Sequence, residues 1–249
     1  MINFFKTLAD LVFPPRCGGC GELLQPALHG EQCVMCKSCD EEWEREMRAE
    51  CPDCFAVYTQ CRCMPRSLER AGCVELVKLA PYTNDARARL VRHIVLALKK
   101  ATPRHTLDFL AKELESGILA ALERAGCAAT DAILVHIPRD RKHRRRDGAD
   151  QSEALASAIG RRMGITHAAL LYRKGHTKAQ KELNAKERAA NLTNAFGVRE
   201  VPRGKCVILV DDVVTTGATM SVGAAMLRAA GAGEVIAVAI AQTEKKQKR

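Results

Sequence analysis

The chain has 249 residues, of which 47% are hydrophobic and 27% are charged, so we expect one large or two small soluble globular domains. A formal net charge of +10 favours an anionic partner such as a nucleotide, a nucleic acid or a membrane surface. No segment is apolar over a membrane-spanning length, which excludes a transmembrane protein, and we expect a cytoplasmic location.

Residues 1–16 predict a short amphipathic helix that ends at Pro14-Pro15. The segment is too short and too charged for a signal peptide, because Lys6 and Asp10 interrupt its apolar run. One helical face carries Ile2, Phe5, Leu8 and Val12. We therefore expect this helix to pack against the rest of the protein.

The spacing of the cysteines predicts zinc binding near the start of the chain. Ten of the twelve cysteines precede residue 75, mostly as CxxC pairs. In such a pair a short turn places two thiolates on the same side of a tetrahedral zinc ion. The region is poor in large apolar residues, so metal would supply the folding energy that a small core cannot. Two structural sites are predicted, a first from Cys17, Cys20, Cys36 and Cys39 and a second from Cys51, Cys54, Cys61 and Cys63.

Three points about the cysteines stay open. Cys33 either replaces Cys36 as a ligand or is a spare thiol, and its spacing does not decide. The number of zinc ions is one or two, because the last pair is Cys61-x-Cys63 rather than CxxC. Disulfides are the alternative to zinc, but we favour zinc because no secretion signal is present.

Three aromatic residues of this region allow two interpretations. Trp43 lies on a predicted charged helix at 41–50, and Phe55 and Tyr58 follow the next cysteine pair. They either stack on the bases of a single-stranded nucleic acid or fill the small apolar core of a zinc domain. We favour the core.

From residue 73 onward predicted strands alternate with predicted helices, which indicates an α/β fold with a parallel sheet. The predicted strands are 73–82, 131–137, 168–172, 207–210 and 235–241. The predicted helices are 85–100, 106–126, 151–163 and one that begins at Met220.

The stretch VILVDDVVTTGATM, residues 207–220, combines a buried strand with an anion-binding loop. Asp211 and Asp212 follow the strand, and small polar residues at 215–219 lead into a helix. The first N–H groups of a helix lack internal partners and, with the helix dipole, favour an anion. Carboxylates instead suit sugar hydroxyls or a metal ion, so a ribose phosphate would satisfy both halves. An ordinary strand and capped helix is the alternative, but it does not explain two adjacent carboxylates.

Two basic segments are expected near this loop. Residues 139–146 directly follow the buried strand 131–137, and ligands of open α/β sheets lie beyond the carboxyl ends of the strands. Residues 173–178 carry Arg, Lys and His side chains in a second loop. The first segment suits a pyrophosphate group, and its alternatives are nucleic-acid binding or no function. A mobile surface loop is the alternative for the second segment.

These motifs carry two resemblances. VILVDDVVTTGAT resembles the phosphoribosyl pyrophosphate signature of type I phosphoribosyltransferases. Nearly the full chain resembles the ComF family of competence-associated proteins, which joins a double zinc ribbon to a phosphoribosyltransferase domain. That resemblance also rests on LADLVFPPRCGGC, the cysteine pairs, the strand ending in Ile137-Pro138 and the Q-x-x-L-x(4)-R-x-x-N run at 180–191. One departure is that residues 147–151 are DGADQ, where the family usually has RGFNQ.

The resemblance implies roles for individual residues. Asp211 and Asp212 would contact the ribose hydroxyls. The 5′-phosphate would be cupped by Val213, Val214, Thr215, Thr216, Gly217, Ala218 and Thr219. Pyrophosphate would be bound by Arg139, Arg141 and Lys142 and covered by a mobile basic hood of Arg173, Lys174, His176 and Lys178. Mg²⁺ is expected with phosphoribosyl pyrophosphate, and the candidate catalytic residues are Asp211, Asp212, Arg173 and Lys178.

The ComF resemblance also implies a fold and a biological role. We expect a type I phosphoribosyltransferase fold, a Rossmann-like parallel sheet flanked by helices, behind a cysteine-rich zinc-ribbon domain. The predicted parts are 1–70 for the N-terminal helix and zinc domain, 71–243 for the phosphoribosyltransferase-like domain and 244–249 for a basic tail. The implied role is DNA uptake in natural transformation, through single-stranded DNA and the uptake machinery. The chain is either an active phosphoribosyltransferase with an unidentified acceptor base or a ligand-binding regulator without turnover.

Overall fold

The computed structural model describes residues 15–24, 34–139, 150–174 and 195–244. The helices in these ranges are α1 (Lys37–Glu46), α2 (Arg66–Arg70), α3 (Arg89–Leu98), α4 (Arg104–Arg124), α5 (Gln151–Met163) and α6 (Ala218–Ala229). The strands are β1 (Cys73–Val77), β2 (Ala80–Pro81), β3 (Ala132–His136), β4 (Leu171–Arg173), β5 (Phe196–Val198), β6 (Cys206–Val214) and β7 (Val235–Gln242). None of these described helices is long and apolar enough to cross a membrane. Most of the helix predicted at 1–16 lies outside the described residues.

A parallel sheet forms the centre of the structure. Strands β1, β7, β6 and β3 lie side by side in that order, and β2 pairs with the end of β7. All of these pairings are parallel. Parallel neighbours need crossover connections, which explains the alternation of strands and helices along the sequence. The predicted α/β class is confirmed.

Helices cover both faces of this sheet. Side chains alternate along β6, so Val207 and Leu209 pack on one side with α2 and α6. Ile208 and Val210 pack on the opposite side with α3, α4 and α5. A strand buried on both faces is apolar without interruption, which is why residues 206–210 read as a continuous apolar run.

Several elements differ from the sequence prediction, among them helix α2, which the sequence pattern did not indicate. Helix α1 begins at Lys37 rather than near residue 41, because it follows directly from Cys36 at its N-terminal cap. The antiparallel pair β4–β5 contains a strand, Phe196–Val198, that the sequence pattern did not indicate. Three residues are too few for a period of two to be recognised.

The cysteine-rich region packs directly on the helices of the sheet domain. The ring of Trp43 in α1 meets Phe109 of α4 edge-on at 5.0 Å, and its Nε1 donates to Glu113 at 3.3 Å. Glu46, which is 2% exposed, accepts the N–H groups of Leu90 at 2.7 Å and Val91 at 2.9 Å. This carboxylate caps the start of α3 from a different part of the chain. The boundary at residue 70 stays a prediction.

Candidate functional site

The two candidate carboxylates lie on β6 beyond the end of its neighbour β3. Strand β6 pairs with β3 only as far as Val210, opposite His136, but with β7 as far as Val214. The strand is thus longer than the predicted 207–210, and Asp211 and Asp212 belong to it. The apolar pattern ends at Val210, whereas backbone pairing with β7 continues, so periodicity alone could not locate the end.

The first residues of α5 hold both carboxylates. Ser152 Oγ donates to Asp211 Oδ1 at 2.8 Å, and Gln151 Nε2 donates to Asp212 Oδ2 at 2.8 Å. Asp211 Oδ1 also accepts the N–H of Asp212 at 2.9 Å, and Asp212 Oδ1 accepts that of Val213 at 2.7 Å. Neighbouring strand residues normally point to opposite faces, yet these two contact consecutive residues of one helix. The acids are therefore fixed close together, as a ligand with two hydroxyl groups requires.

The surroundings of Asp211 change the ionisation of its carboxyl group. Burial of Asp211 and the charge of Asp212 raise the pKa of the Asp211 carboxyl well above its usual range. The Ser152 hydroxyl and the N–H of Asp212 oppose this rise. A shifted carboxyl at the open end of a sheet is a common feature of binding and catalytic sites.

The loop after β6 directs the start of α6 toward the same region. Gly217 precedes α6 with a φ of 74°, a left-handed conformation that glycine adopts without penalty. Thr215 and Thr216 are exposed and Thr219 is half-buried, and Thr216 Oγ1 accepts the N–H of Ala218 at 3.4 Å. The first-turn N–H groups of α6 and its dipole make this loop suitable for an anion.

Helix α2 supports the loop through a contact that the sequence did not indicate. Ser67 Oγ donates to the carbonyl oxygen of Thr216 at 2.8 Å, across 149 positions of sequence. A Cβ atom on Gly217 would lie 2.8 Å from Ser67 Oγ and 3.2 Å from atoms of Leu68 and Pro65. A contact over such a separation leaves no local signal at Ser67. Helix α2 is therefore a wall of the candidate anion loop.

Replacing Gly217 with alanine is expected to destabilise the protein by about 2 kcal/mol, because left-handed backbone costs an L residue about 1–2 kcal/mol. The added methyl group would also collide with α2. Gly204→Ala is the matched control, since Gly204 has a φ of 75° but its Cβ would meet nothing within 4 Å. Urea unfolding of the two variants measures the difference. Equal losses of stability would contradict close packing of α2 on the loop.

Two of the predicted basic residues lie together past the end of β3. Arg173, the last residue of β4, stacks over Phe196 at 4.6 Å, and its Nε donates to the carbonyl oxygen of Pro138 at 3.2 Å. Arg139, which follows Pro138 in the sequence, donates its backbone N–H to Asp150 Oδ2 at 2.9 Å. Their contact with pyrophosphate stays a prediction. The remaining residues Arg141, Lys142, His176 and Lys178 lie outside the described residues, whereas Lys174 is exposed next to Arg173.

The first cysteine cluster consists of Cys17, Cys20, Cys36 and Cys39. Their sulfur atoms lie within 4.8 Å of one another, and those of Cys20 and Cys36 are 3.8 Å apart. Zinc–sulfur bonds of about 2.3 Å in a tetrahedron give a sulfur–sulfur distance of about 3.8 Å. The N–H groups of Gly19, Cys20 and Cys36 point at Cys17 Sγ. Although burial opposes them, these donors lower the pKa of Cys17 to about 7.

The second cysteine cluster consists of Cys51, Cys54, Cys61 and Cys63, whose sulfur atoms also lie within 4.8 Å of one another. Cys61 and Cys63, although spaced as CxC, therefore both belong to this group of four potential ligands. Lys78 lies beside this cluster, only 1% exposed, and its Nζ donates to the carbonyl oxygens of Cys61 at 3.0 Å and Cys63 at 2.6 Å. Four thiolates around Zn²⁺ carry a net charge of −2, which a buried ammonium group partly offsets.

The chemistry of both clusters fits a structural zinc ion. Burial and the neighbouring thiols raise the pKa of Cys63 to about 12 and also raise that of Cys39, so a cation would favour the ionised form of these two thiols. The described cysteines are all free thiols, so the disulfide alternative has no support among them. Cys36 occupies the fourth position of the first cluster, while Cys33 lies outside the described residues.

The three candidate stacking residues have different surroundings. Trp43 is 4% exposed and packs in the core, as favoured from the sequence. Tyr58 is 3% exposed, and its hydroxyl donates to Glu244 Oε1 at 3.1 Å. Phe55 is 77% exposed at the tip of the second cysteine cluster. Of the three, only Phe55 is accessible to a nucleic-acid base.

The sequence of this chain is similar to those of several known proteins. A family described as "Phosphoribosyl transferase domain" matches residues 149–249. The chain is 25% identical to Competence protein F of Haemophilus influenzae over 228 residues, 89% of this chain and 82% of that protein. It is 25% identical to Competence protein ComFC of Streptococcus pneumoniae over 230 residues, covering 88% and 96%. It is 35% identical to DNA utilization protein YhgH of Salmonella typhi over 128 residues, covering 51% and 56%. The solved adenine phosphoribosyltransferase of Leishmania tarentolae aligns with a TM-score of 0.32 at 18% identity, over 57% of this chain and 73% of that chain.

The parallel sheet and the family match define a protein with a phosphoribosyltransferase domain. The two cysteine clusters precede this domain in the sequence. Two relatives that the chain matches over most of their length are named as competence proteins. These similarities support the ComF family, with its phosphoribosyltransferase domain. Both the resemblance and the fold class predicted from the sequence are confirmed.

Proposed function

We propose that the chain binds phosphoribosyl pyrophosphate with Mg²⁺ at the end of β6. The observation that carries the proposal is that Ser152 and Gln151 hold Asp211 and Asp212 together directly before the start of α6. Paired carboxylates accept hydrogen bonds from ribose hydroxyls, while the N–H groups beyond Gly217 receive the 5′-phosphate.

An unsatisfied polar atom supports a ligand at this position. Gln151 is 6% exposed, and its Oε1 has no hydrogen-bond partner among the residues described. Its Nε2 is already bound to Asp212. Because buried amide oxygens are almost always hydrogen-bonded, a hydroxyl donor or a cation at the carboxylates would complete this group.

The pyrophosphate half of the ligand would extend toward the basic segments. Arg139, Arg141 and Lys142 would neutralise it, and Arg173 and the following segment with Lys178 would cover it. In a phosphoribosyl transfer these cations would stabilise the departing pyrophosphate, so catalysis would consist of positioning and electrostatic stabilisation. Mg²⁺ would supply further positive charge on the same oxygens. We also propose one structural Zn²⁺ in each cysteine cluster.

Calorimetric titration of phosphoribosyl pyrophosphate, with and without Mg²⁺, tests this site. The wild type is expected to release heat on binding, and the Asp211→Ala/Asp212→Ala variant is expected to bind at least about tenfold more weakly, since charge-assisted hydrogen bonds contribute about 1.5–3 kcal/mol each. Asp131→Ala is the control, because Asp131 precedes β3 at the opposite end of the sheet and pairs with Lys205. Equal heats from wild type and double variant would overturn the assignment.

A role in DNA uptake through single-stranded DNA is a second proposed function. Relatives are named competence proteins and a DNA utilization protein, and the chain has a net charge of +10. Phe55 offers an exposed aromatic ring next to a cysteine cluster. Phosphate contacts by Lys and Arg would make the affinity fall steeply with salt.

Filter binding of single-stranded DNA over a salt series checks this role. Phe55→Ala is expected to weaken binding by about 1–3 kcal/mol, the usual contribution of one stacked base. Leu23→Ala is the control, because Leu23 is 58% exposed near the first cysteine cluster but has no aromatic ring. Affinity without salt dependence, or equal effects of the two substitutions, would remove the case for a stacking surface.

A measurement of turnover distinguishes the two functions that this site could have, catalysis and ligand binding alone. An active phosphoribosyltransferase releases pyrophosphate in the presence of one acceptor base from a panel, whereas a ligand-binding regulator does not. The assay is decisive only at enzyme concentrations where calorimetry detects bound phosphoribosyl pyrophosphate. Background rates with every base would then favour the regulator.

A further inference from the structure

A group of potential metal ligands other than cysteine lies where β3 ends and α5 begins. His136 is the last residue of β3, Asp150 is the N-terminal cap of α5, and Glu153 lies in the first turn of α5. One ligand atom from each lies within 4.8 Å of the other two. His136 is 4% exposed and Asp150 is 6% exposed, and Glu153 is half-buried. We call these three residues the histidine–carboxylate cluster.

A second imidazole fixes the orientation of His136. His136 Nδ1 and His167 Nε2 are 3.0 Å apart, and His167 Nδ1 lies 3.1 Å from Ser157 Oγ. His167 is thus a hydrogen-bond partner of His136 and is itself held by Ser157. A histidine that binds a metal through one ring nitrogen usually has the other nitrogen held by such a partner. The Ser157–His167–His136 chain provides that arrangement.

The carboxylate of Asp150 retains capacity for a cation. Its Oδ2 accepts the N–H of Arg139 at 2.9 Å, and its Oδ1 accepts the N–H of Glu153 at 3.3 Å. These donors are neutral backbone groups, one for each oxygen, and each carboxylate oxygen has two lone pairs. An ion that also contacts Glu153 would bridge the two carboxylates across the first turn of α5.

We propose that His136, Asp150 and Glu153 bind a divalent first-row transition-metal ion through one imidazole nitrogen and two carboxylate oxygens. Bonds of about 2.0–2.2 Å place opposite ligands about 4–4.4 Å apart, so small side-chain rotations close the cluster around an ion. A mixed nitrogen and oxygen set suits Zn²⁺, Mn²⁺ or Fe²⁺ rather than a thiolate-seeking ion. Asp150 supplies a negative charge that a cation needs, beside that of Glu153.

An ion bound by the histidine–carboxylate cluster would affect the neighbouring pair of acids, Asp211 and Asp212. Gln151 and Ser152 lie between Asp150 and Glu153 in sequence, and they hold the carboxylates of Asp212 and Asp211. An ion that joins β3 to the first turn of α5 would therefore fix the residues that orient this pair of acids. The proposal does not rest on phosphoribosyl pyrophosphate binding, and it concerns an ion separate from the Mg²⁺ expected with that ligand.

Mn²⁺ titration of the zinc-loaded protein, followed by electron paramagnetic resonance, tests the proposal. Thiolate clusters filled with zinc do not exchange for Mn²⁺, which prefers oxygen and nitrogen ligands. The wild type is expected to bind one Mn²⁺ with a nitrogen-14 coupling from imidazole. Asp150→Asn and Glu153→Gln are expected to weaken binding at least about tenfold, and His167→Gln is expected to weaken it by about 10–100-fold as an outer-shell change.

Two features of the variants keep the result interpretable. Asparagine caps helices as well as aspartate does, so Asp150→Asn removes charge without loss of the cap. Asp108→Asn/Glu115→Gln is the control, because these carboxylates pair with Arg161 and Arg162 at the other end of α5, and it is expected to leave the Mn²⁺ affinity and the nitrogen coupling unchanged. Binding without a nitrogen coupling, binding lost only in this control, or no binding at all would each overturn the proposal.

Discussion

Loss of metal from the second cysteine cluster is expected to unfold residues 51–63 and to release the anion loop at 215–219. Structural zinc contributes about 10–16 kcal/mol of apparent binding energy in small zinc domains, and residues 51–63 have almost no core beyond Cys51, Tyr58 and Cys61. Helix α2 begins three positions after Cys63, and its Ser67 holds the carbonyl of Thr216. The metal ion and the anion loop are thus joined by a short segment of chain.

The matched variants for this prediction are Cys61→Ser and Cys20→Ser. Each removes a ligand from one cluster, so each is expected to lose one zinc ion by elemental analysis. Hydrogen exchange at residues 64–70 and 215–219 is expected to rise strongly in Cys61→Ser and little in Cys20→Ser, because only the second cluster leads into α2. Equal protection of both segments in the two variants would contradict the coupling.

The sequence predicted those features that have a local pattern. The apolar run at 206–210, the two aspartates and the TTG loop are consecutive, so the strand, acids and helix start were all foreseeable. Cysteine pairs separated by two residues likewise predict a metal site, because the two ligands are close together in the sequence. The two four-cysteine sets that lie together are those predicted, although the spacing alone did not decide between Cys33 and Cys36.

Features formed by distant parts of the chain were not predictable in this way. Ser67 and Thr216 are 149 positions apart, and Glu46 reaches the N–H of Val91 across 45 positions. His136 reads only as the end of a buried strand until the fold brings it to His167. Such contacts depend on how helices pack over the sheet, and neither residue type nor periodicity encodes the partner.

Asp211→Asn is expected to weaken ligand binding and, at the same time, to stabilise the protein near pH 8. Burial and the charge of Asp212 raise the pKa of Asp211 in the folded state above its unfolded value of about 3.9. The folded protein therefore binds more protons than the unfolded chain between these two values, and the stability of the wild type falls as pH rises through that window. Asparagine has no charge to lose, so the variant avoids this fall.

The Asp211→Asn substitution is expected to remove the charge and to keep the hydrogen bonds of the side chain. Asparagine Oδ1 can still accept the Ser152 hydroxyl and the N–H of Asp212, because both bonds go to Oδ1 in the wild type. We expect a gain of about 1 kcal/mol, the scale of an ordinary point substitution, which disappears below about pH 4 where Asp211 is protonated in both states. Asp131→Asn is the control, since Asp131 is exposed and paired with Lys205.

Urea unfolding from about pH 4 to about pH 8, with calorimetry of phosphoribosyl pyrophosphate at the upper value, measures both effects in one variant. Weaker binding with higher stability would mean that the acid pair is kept for its ligand at the expense of the fold, as functional sites often are. A variant that is less stable than the wild type near pH 8 would instead identify the Asp211 charge as a structural partner of α5. In that case the role of the pair in ligand binding would be tested by calorimetry of an Asp212→Asn variant.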